Sequence, residues 1–300
     1  MLRGLYSAAA GMITQQRKHD TATNNISNVN TPGFKGSNMI SRAFPEMLIS
    51  IVNGGGASSK FIGRLNSGVL SEENIPNFMQ GDLQMTDNPT DFALISNLQT
   101  NPPSVFDVSG KLVTEDGVTV YRPQAFFALS GEDGEERFTR NGKFTVDSEG
   151  TLVNGSGLKV LGVDGNPILP PLPMSEIKIT NTGQFLNANN GQPVLDRNNN
   201  PIALRISRVE NPNKLVSEGN GTFRLEDPES TATAINFSNI EDLNNEGVQV
   251  HQGFIEQSNV NTAQATIDIM SALRAYESNQ KVVQYYDRSM DKAVNEVGRI

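Results

Sequence analysis

The word SNVNT stands at residues 27–31 and again at residues 258–262. More than 200 residues separate the copies, and no longer stretch repeats with them. A tandem repeat would carry its whole unit along, so the flanks decide the reading. The first copy follows a helical pattern and runs into TPGFKG, whereas the second runs into a helical pattern, AQATIDIMSALRAYE. The two words read as hinges at one end of a structure whose termini lie together.

Upstream of the first hinge, Leu5, Ala8, Met12, Gln15, His19, Ala22, Ile26 and Val29 advance by alternating steps of three and four. This is an a/d seam, apolar except at Gln15 and His19. Polar seam residues set register or face a neighbouring chain, at a cost in stability. The helix is expected to stop at a turn formed by Asn30, Thr31, Pro32, Gly33 and Phe34. The residue before a proline avoids the α region, and glycine accepts positive φ.

Downstream of the second hinge, Ile269, Leu273, Tyr276, Gln280, Val283, Asp287, Met290, Val294 and Val297 repeat the same stepping. Asn261 is suited to cap this helix, with Gln264 three residues on as a partial capping box. The spacing predicts a helix over 261–296, long for a globular protein. Each terminal stripe needs a cover, and the obvious cover is the other helix.

Between the ends the period changes. From about residue 82 to residue 225, short runs alternate with Asp-Gly and Asn-Gly turns at residues 116, 133, 154, 164, 190 and 220. RFTRNGKFTV, with Asn141-Gly142 between alternating segments, predicts a hairpin. GTLVNGSGLKVLGVDGNPIL predicts strand, turn, strand, turn, strand. The expected fold is therefore α+β: terminal helices paired as a coiled-coil-like domain from 1–36 and 252–300, and an all-β sandwich or irregular barrel over 79–225. Residues 37–78, which include the flexible-looking NGGGASSK, and residues 226–251 are expected to be extended connectors.

Composition narrows the function classes. The chain has 300 residues, 36% hydrophobic and 6% aromatic, without Trp, which is lean for one large globule and leaves surface to be buried against partners. The absence of Cys excludes disulfides, thiolate zinc sites and a Cys nucleophile. A net charge of −9 argues against a general nucleic-acid binder. The first 36 residues are net +3, which leaves −12 for the remainder. No apolar run is long enough to span a membrane, and polar Thr14, Gln15 and Gln16 arrive too early for a cleaved signal peptide.

Catalytic patterns are weak. His19 and His251 form no HxH or HExxH pair, and no GxSxG elbow occurs. Glu132, Asp133, Glu135 and Glu136 are a carboxylate cluster of the kind that cleaves glycosides, but they surround an Asp-Gly turn, where acids are ordinarily just solvated. No catalytic residue, cofactor or metal is expected.

LYSAAAGM, NNISNVNTPGFK and GFIEQSNVNTAQATIDIMSALRAYESNQKVVQYYDRSM closely resemble the bacterial flagellar basal-body rod and hook protein family. FTRNGKFTVDSEGTLVNGSGLKVLGVDGNPI resembles the β domain of its distal-rod branch. In that branch NPTDFAL usually leads directly into a Gly-Phe-Phe strand. Here residues 96–124 intervene and the position is Ala125; Ser271-Ala272 also stand where bulkier residues are common. The resemblance implies a terminal helical domain with a β domain mounted outside it. It implies a helical homo-polymer stacked with other rod and hook proteins into an axle that carries torque. It further implies export through the flagellar type III apparatus to the basal body outside the cytoplasmic membrane, without signal cleavage.

The seam agrees with that picture, because a seam helix gains stability by burial. In the free monomer the chain ends are expected to be largely disordered and to fold during assembly. The expected packing residues are Leu5, Ala8, Met12, Ile26, Val29, Ile269, Leu273, Tyr276, Val283, Met290 and Val294. The rival readings are a hook-type or proximal-rod subunit, a secreted β-rich adhesin, and a cell-wall glycosidase.

Overall fold

A computed structural model describes residues 2–51, 60–66, 68–98, 106, 110–114, 119–131, 133–197, 199–226, 232–234 and 247–297. The chain is α+β, with an N-terminal helix, a β-rich middle and a C-terminal helix. It divides into two compact units: 1–27, 37–76 and 260–300 form one, and 28–36 with 77–259 form the other. Two of the four borders, 27/28 and 259/260, fall inside a copy of SNVNT.

In the helical unit, α1 (Leu2–Ser27) and α2 (Thr262–Lys292) pack together. Asn261 caps α2, its side chain accepting from Gln264 N–H at 3.1 Å. Only half the capping box forms, because the Gln264 side chain donates forward to Asp268. Of residues 37–78, expected as an extended connector, 37–76 contribute strands to this unit. β1 (Ser37–Ala43) pairs antiparallel with β4 (Val69–Pro76), and β2 (Met47–Ile51) with β3 (Lys60–Leu65). The glycine-rich stretch at 53–59 lies outside the described residues.

The β unit runs through β5 (Leu83–Met85), β6 (Phe92–Ser96), β7 (Lys111–Val113), β8 (Thr119–Tyr121), β9 (Gln124–Ser130), β10 (Glu136–Thr139), β11 (Phe144–Val146), β12 (Leu152–Asn154) and β13 (Lys159–Val160). It continues with β14 (Ile177–Ile179), β15 (Phe185–Asn187), β16 (Ile206–Val209), β17 (Leu215–Gly219), β18 (Thr222–Leu225), β19 (Ala232–Ala234), β20 (Val248–Gln252) and β21 (Phe254–Glu256). The main sheet follows the order β11-β12-β13-β9-β10-β18-β17, and β16 also pairs with β9. β9 is its centre. Strand alternation sends Ala125, Phe127 and Leu129 into one apolar cluster and Phe126 into another. The second cluster is aromatic, with Phe78 edge-on to Phe126 at 5.9 Å. Within the 96–124 insertion, β7 and β8 pair as a short ribbon.

The hairpin expected at Asn141-Gly142 does not form. β10 pairs with β9 and β18, and β11 with β12, so the strands on either side of the dipeptide part company. Long-range bonds override the local turn signal: Phe92 N–H donates to the Gly142 carbonyl at 2.9 Å, and Arg140 turns inward. The tight hairpin belongs instead to Asn220-Gly221 between β17 and β18, where φ is 51° and 73°. Positive φ at both central residues is the requirement of a type I′ turn. The strand–turn–strand reading of 150–169 matches β12, β13 and the Leu161–Pro167 bridge.

Candidate functional site

Two arrangements stand out, one in each unit. In the helical unit, the seam is built on small residues. A Cβ on Gly4 would collide with the Tyr286 ring, and one on Gly11 would stand 2.8 Å from Asn279 Nδ2. One heptad up α1 is therefore one heptad down α2, so the helices run antiparallel and approach closely. On α2, Ala265 and Ala272 are buried, and Ile269, Tyr276, Asn279, Val283, Tyr286 and Met290 are half-buried. The covered stripe thus shares Ile269, Tyr276, Val283 and Met290 with the expected seam. It shifts by one residue at the alternate positions, to Ala272, Asn279 and Tyr286.

Leu273 is 44% exposed and Val294 71% exposed, so neither lies in the seam within the chain. Ala272, fully buried, takes the place in the covered stripe that the seam spacing assigned to Leu273. On α1, Ala8 is buried, while Leu5, Met12 and Ile26 are half-buried. Val29 is also half-buried, but it lies beyond α1 in a segment of the β unit.

A polar stripe on α1 went unread in the sequence. Arg17 Nη1 donates to Ser71 Oγ at 2.8 Å, and Thr21 Oγ1 to Asn74 Oδ1 at 3.1 Å. Asn25 grips Ser37, donating to its carbonyl at 2.8 Å and accepting from its N–H at 2.9 Å. Thr14 is buried on the same side, its hydroxyl donating to the Ala10 carbonyl at 2.9 Å. The spacing of Thr14, Arg17, Thr21 and Asn25 places them on one face, and that face holds the β1–β4 ribbon. Their helical periodicity was the available signal.

In the β unit, Gly33 ends the first hinge with φ of 68°, and a Cβ there would stand 2.5 Å from Asn141 N. Gly33 N–H donates to the Glu256 carbonyl at 2.7 Å. Pro32 and Phe34 are half-buried beside it, and Asn30 is exposed. Asn259, inside the second SNVNT, donates to the carbonyls of Asn77 and Met79 and accepts from Gly36 N–H at 2.8 Å.

These contacts surround a buried ionic cluster. Lys35 Nζ lies 2.6 Å from Glu256 Oε1, and Arg140 Nε lies 3.0 Å from Glu256 Oε2; the three side chains are 0–1% exposed. Glu256 Oε1 also accepts from Gly81 N–H at 2.9 Å. Lys35 donates further to the Met79 carbonyl, and Arg140 Nη1 to the Ala125 carbonyl and Ser96 Oγ. Burial drives the Lys35 amine down to about 8, helped by the Arg140 charge and opposed by Glu256. For Glu256, burial pushes upward, but the charges of Arg140 and Lys35 and the bonds from Lys35 and Gly81 hold it below its ordinary value.

A carboxylate enclosed and saturated in this way cannot act as a base on a substrate. It can act as a lock. Lys35 comes from TPGFKG, Arg140 from FTRNGKF and Glu256 from GFIEQSNVNT, so one carboxylate ties together three distant segments.

The enzymatic candidates are accounted for by other bonds. Asp133 and Glu135 pair with Arg137 at 2.8 and 3.3 Å, and Glu136 with Arg205 at 2.5 Å, so these acids are ion-paired rather than simply solvated. Glu132 lies outside the described residues. His19 sits 3.5 Å from Asp20, and His251 lies edge-on to Phe254. Among the described residues, no group of His, Asp and Glu has the arrangement to hold a metal, and no helix is long and apolar enough to cross a membrane.

Comparison with known sequences gives consistent matches. Residues 5–35 match the family "Flagella basal body rod protein", 123–187 match "Flagellar hook protein FlgE/F/G D1 domain", and 251–296 match "Flagellar basal body rod FlgEFG protein C-terminal". The chain is 33% identical to the flagellar hook-basal body complex protein FlhO of Bacillus subtilis, over 100% of both chains. It is 30% identical to the flagellar basal-body rod protein FlgG of Borreliella burgdorferi, over 98% of both. It is 25% identical to the flagellar basal-body rod protein FlgF of Caulobacter vibrioides, over 100% of both. The matched ends contain Lys35 and Glu256, and the matched centre contains Arg140.

Proposed function

The chain belongs to the flagellar basal-body rod protein family and is a structural subunit of the rod, and from that premise we propose that it polymerises helically into the axle carrying motor torque to the hook. The observation that carries this reading is the amount of apolar surface the helical unit leaves bare after α1 and α2 have paired. Tyr6 and Ile13 on α1, Ile267, Met270, Leu273 and Tyr285 on α2, and Met47 and Leu48 on the ribbon are all exposed. A patch of this kind marks an interaction surface. A contact between unlike faces, repeated along a screw axis, builds an open helical assembly.

In this reading Ala8, Ile269, Tyr276, Val283 and Met290 hold the helix pair in a coiled-coil-like arrangement. Leu5, Met12, Ile26, Val29, Leu273 and Val294 complete the contacts with neighbouring copies, and terminal helix order is gained on assembly. The β unit, a sandwich or irregular barrel, supplies a rigid body. Helices of 26 and 31 residues span about 39 and 47 Å, and their hydrogen bonds run along the axis, which suits them to transmit torsion.

The family is one of structural proteins assembled with other rod and hook proteins of the basal body, and is not known as an enzyme family. We assign export to the flagellar type III apparatus without signal cleavage. In support, α1 is an integral wall of the helical unit, which a cleavage would dismantle. The adhesin and glycosidase readings find no support among the relatives. The test is to isolate basal bodies from cells whose only copy carries an affinity tag. The chain should co-purify with the rod and be traceable there as a helical array. A soluble, monomeric chain absent from the rod would overturn the reading.

A further inference from the structure

Besides its apolar residues, the outward face of α2 carries a row of cations. Arg274, Lys281 and Arg288 recur at heptad spacing, are exposed, and make no ion pair among the described residues. At about 100° per residue the row drifts only about 20° per heptad. It therefore stays beside Ile267, Met270 and Tyr285, opposite the stripe that α1 covers. The same unit contains a groove of about 550 Å³ between α1 and the β1–β4 ribbon. Asp20, Glu72 and Glu73 line it, with Arg17 as the one lining cation among the described residues and Met39 as an apolar wall. Arg17 is turned to Ser71 at 2.8 Å, Glu72 shares Arg42 at 3.3 Å on the rim, and Asp20 faces His19. Glu73 has no ion pair among the described residues.

We propose that the outward face of α2 docks into the groove between α1 and the ribbon of a second copy, with Arg274, Lys281 and Arg288 set against Asp20, Glu72 and Glu73. Charge complementarity selects the occupant, because a cationic, apolar ridge and an acidic groove exist on each molecule. The two cannot meet within one chain, since α2 presents its other face to α1. Where each ridge enters the groove of a different neighbour, one of each stays free at the ends and the contact propagates along a screw axis. The apolar residues supply the burial. The charges set register and exclude like-charged alignments, as complementary potentials do at interfaces. The proposal rests on the polymer reading above and names its contact.

The experiment uses full-length chains expressed in cells lacking the native copy, with incorporation into isolated basal bodies as the readout. One chain carries R274E, K281E and R288E; a second carries E72K and E73K; a third carries all five changes. Circular dichroism and the unfolding temperature establish that each is folded. Either reversed chain alone should incorporate at about a tenth of the wild-type level or less. Co-expression of the first two, or expression of the third, should restore incorporation, because each then meets a groove of opposite charge. Reversed chains that enter the rod like wild type would overturn the docking, as would folded chains that neither mixture nor combination rescues. Failure of the wild-type chain itself to enter the rod would sink the polymer reading instead.

Discussion

Lys35 Nζ and Glu256 Oε1 stand 2.6 Å apart, although 221 positions separate the two residues in sequence. With Arg140 on the other carboxylate oxygen, Glu256 closes the β unit by joining its first segment, its middle and its last. Burying such ions is costly unless every partner is in place, and removing one partner leaves uncompensated charge inside. Glu256→Ala should therefore destabilise the β unit by about 3–5 kcal/mol, read as a lower urea midpoint in the full-length chain. An apolar replacement of all three charges, Lys35→Met and Arg140→Met with Glu256→Leu, should recover much of the loss. Equal midpoints for wild type and Glu256→Ala would remove the lock from the account.

The same cluster sets a pH dependence. Folded Lys35 releases its proton near 8, against an ordinary value of 10.5. Between those values the unfolded chain binds more protons than the folded one, so stability should rise with pH across that window. Glu256 is held below its ordinary 4.5. Its contribution is complete above that value and is lost as pH falls through the lower folded value. Denaturant midpoints for wild type and Lys35→Met, measured from pH 7 to 10.5, should differ in slope, with the alkaline rise absent from the variant.

Gly33 combines a left-handed backbone with the closest approach to Asn141. Replacement by Ala should cost about 1–3 kcal/mol, seen as a lower unfolding temperature by calorimetry. Asn30→Ala, at an exposed position of the same turn, should leave the unfolding temperature nearly unchanged.

Gly4 and Gly11 should behave unlike ordinary helix glycines. Ala is favoured over Gly by about 1 kcal/mol in a free helix, yet at these positions a side chain meets Tyr286 or Asn279. Gly11→Val should weaken the α1–α2 pair and reduce rod incorporation while leaving the β unit's melting transition in place. Unchanged incorporation would show that the close crossing is dispensable.

Ala272 and Leu273 separate contacts within a chain from contacts between chains. Ala272 is 0% exposed, so Ala272→Asp should disrupt the helix pair of a single chain, lowering the share of helical circular dichroism that the chain retains before assembly. Leu273→Asp should leave the monomer's signal intact and abolish incorporation. The reverse pattern would move Leu273 back into the intrachain seam.

Much of the architecture was legible in sequence because periodicity is local. Heptad spacing announced two helices, Asn261 announced the start of one, and the spaced Asp-Gly and Asn-Gly pairs announced a β-rich middle. The seam register was not legible. An α-helix repeats at 3.6 residues and a heptad stripe at 3.5, so Ala272 and Leu273 compete for one place, and the packing against α1 decides between them. Asn141-Gly142 misled for a related reason: its turn chemistry is real, but the Gly142 carbonyl is claimed by Phe92, fifty positions upstream. The ionic cluster was invisible because Lys35, Arg140 and Glu256 are ordinary charged letters, and burial is not a property of a letter.

By itself the sequence determined the kinds of element, their order and the family, since these follow from spacing, composition and whole motifs. Tertiary structure alone decided which face of α2 is covered, which strands pair across the middle, and that three scattered charges share one dry enclosure. The physical reason is that secondary structure is set by interactions a few residues long. Register and electrostatics depend on which distant atoms arrive, and on how much water their arrival removes.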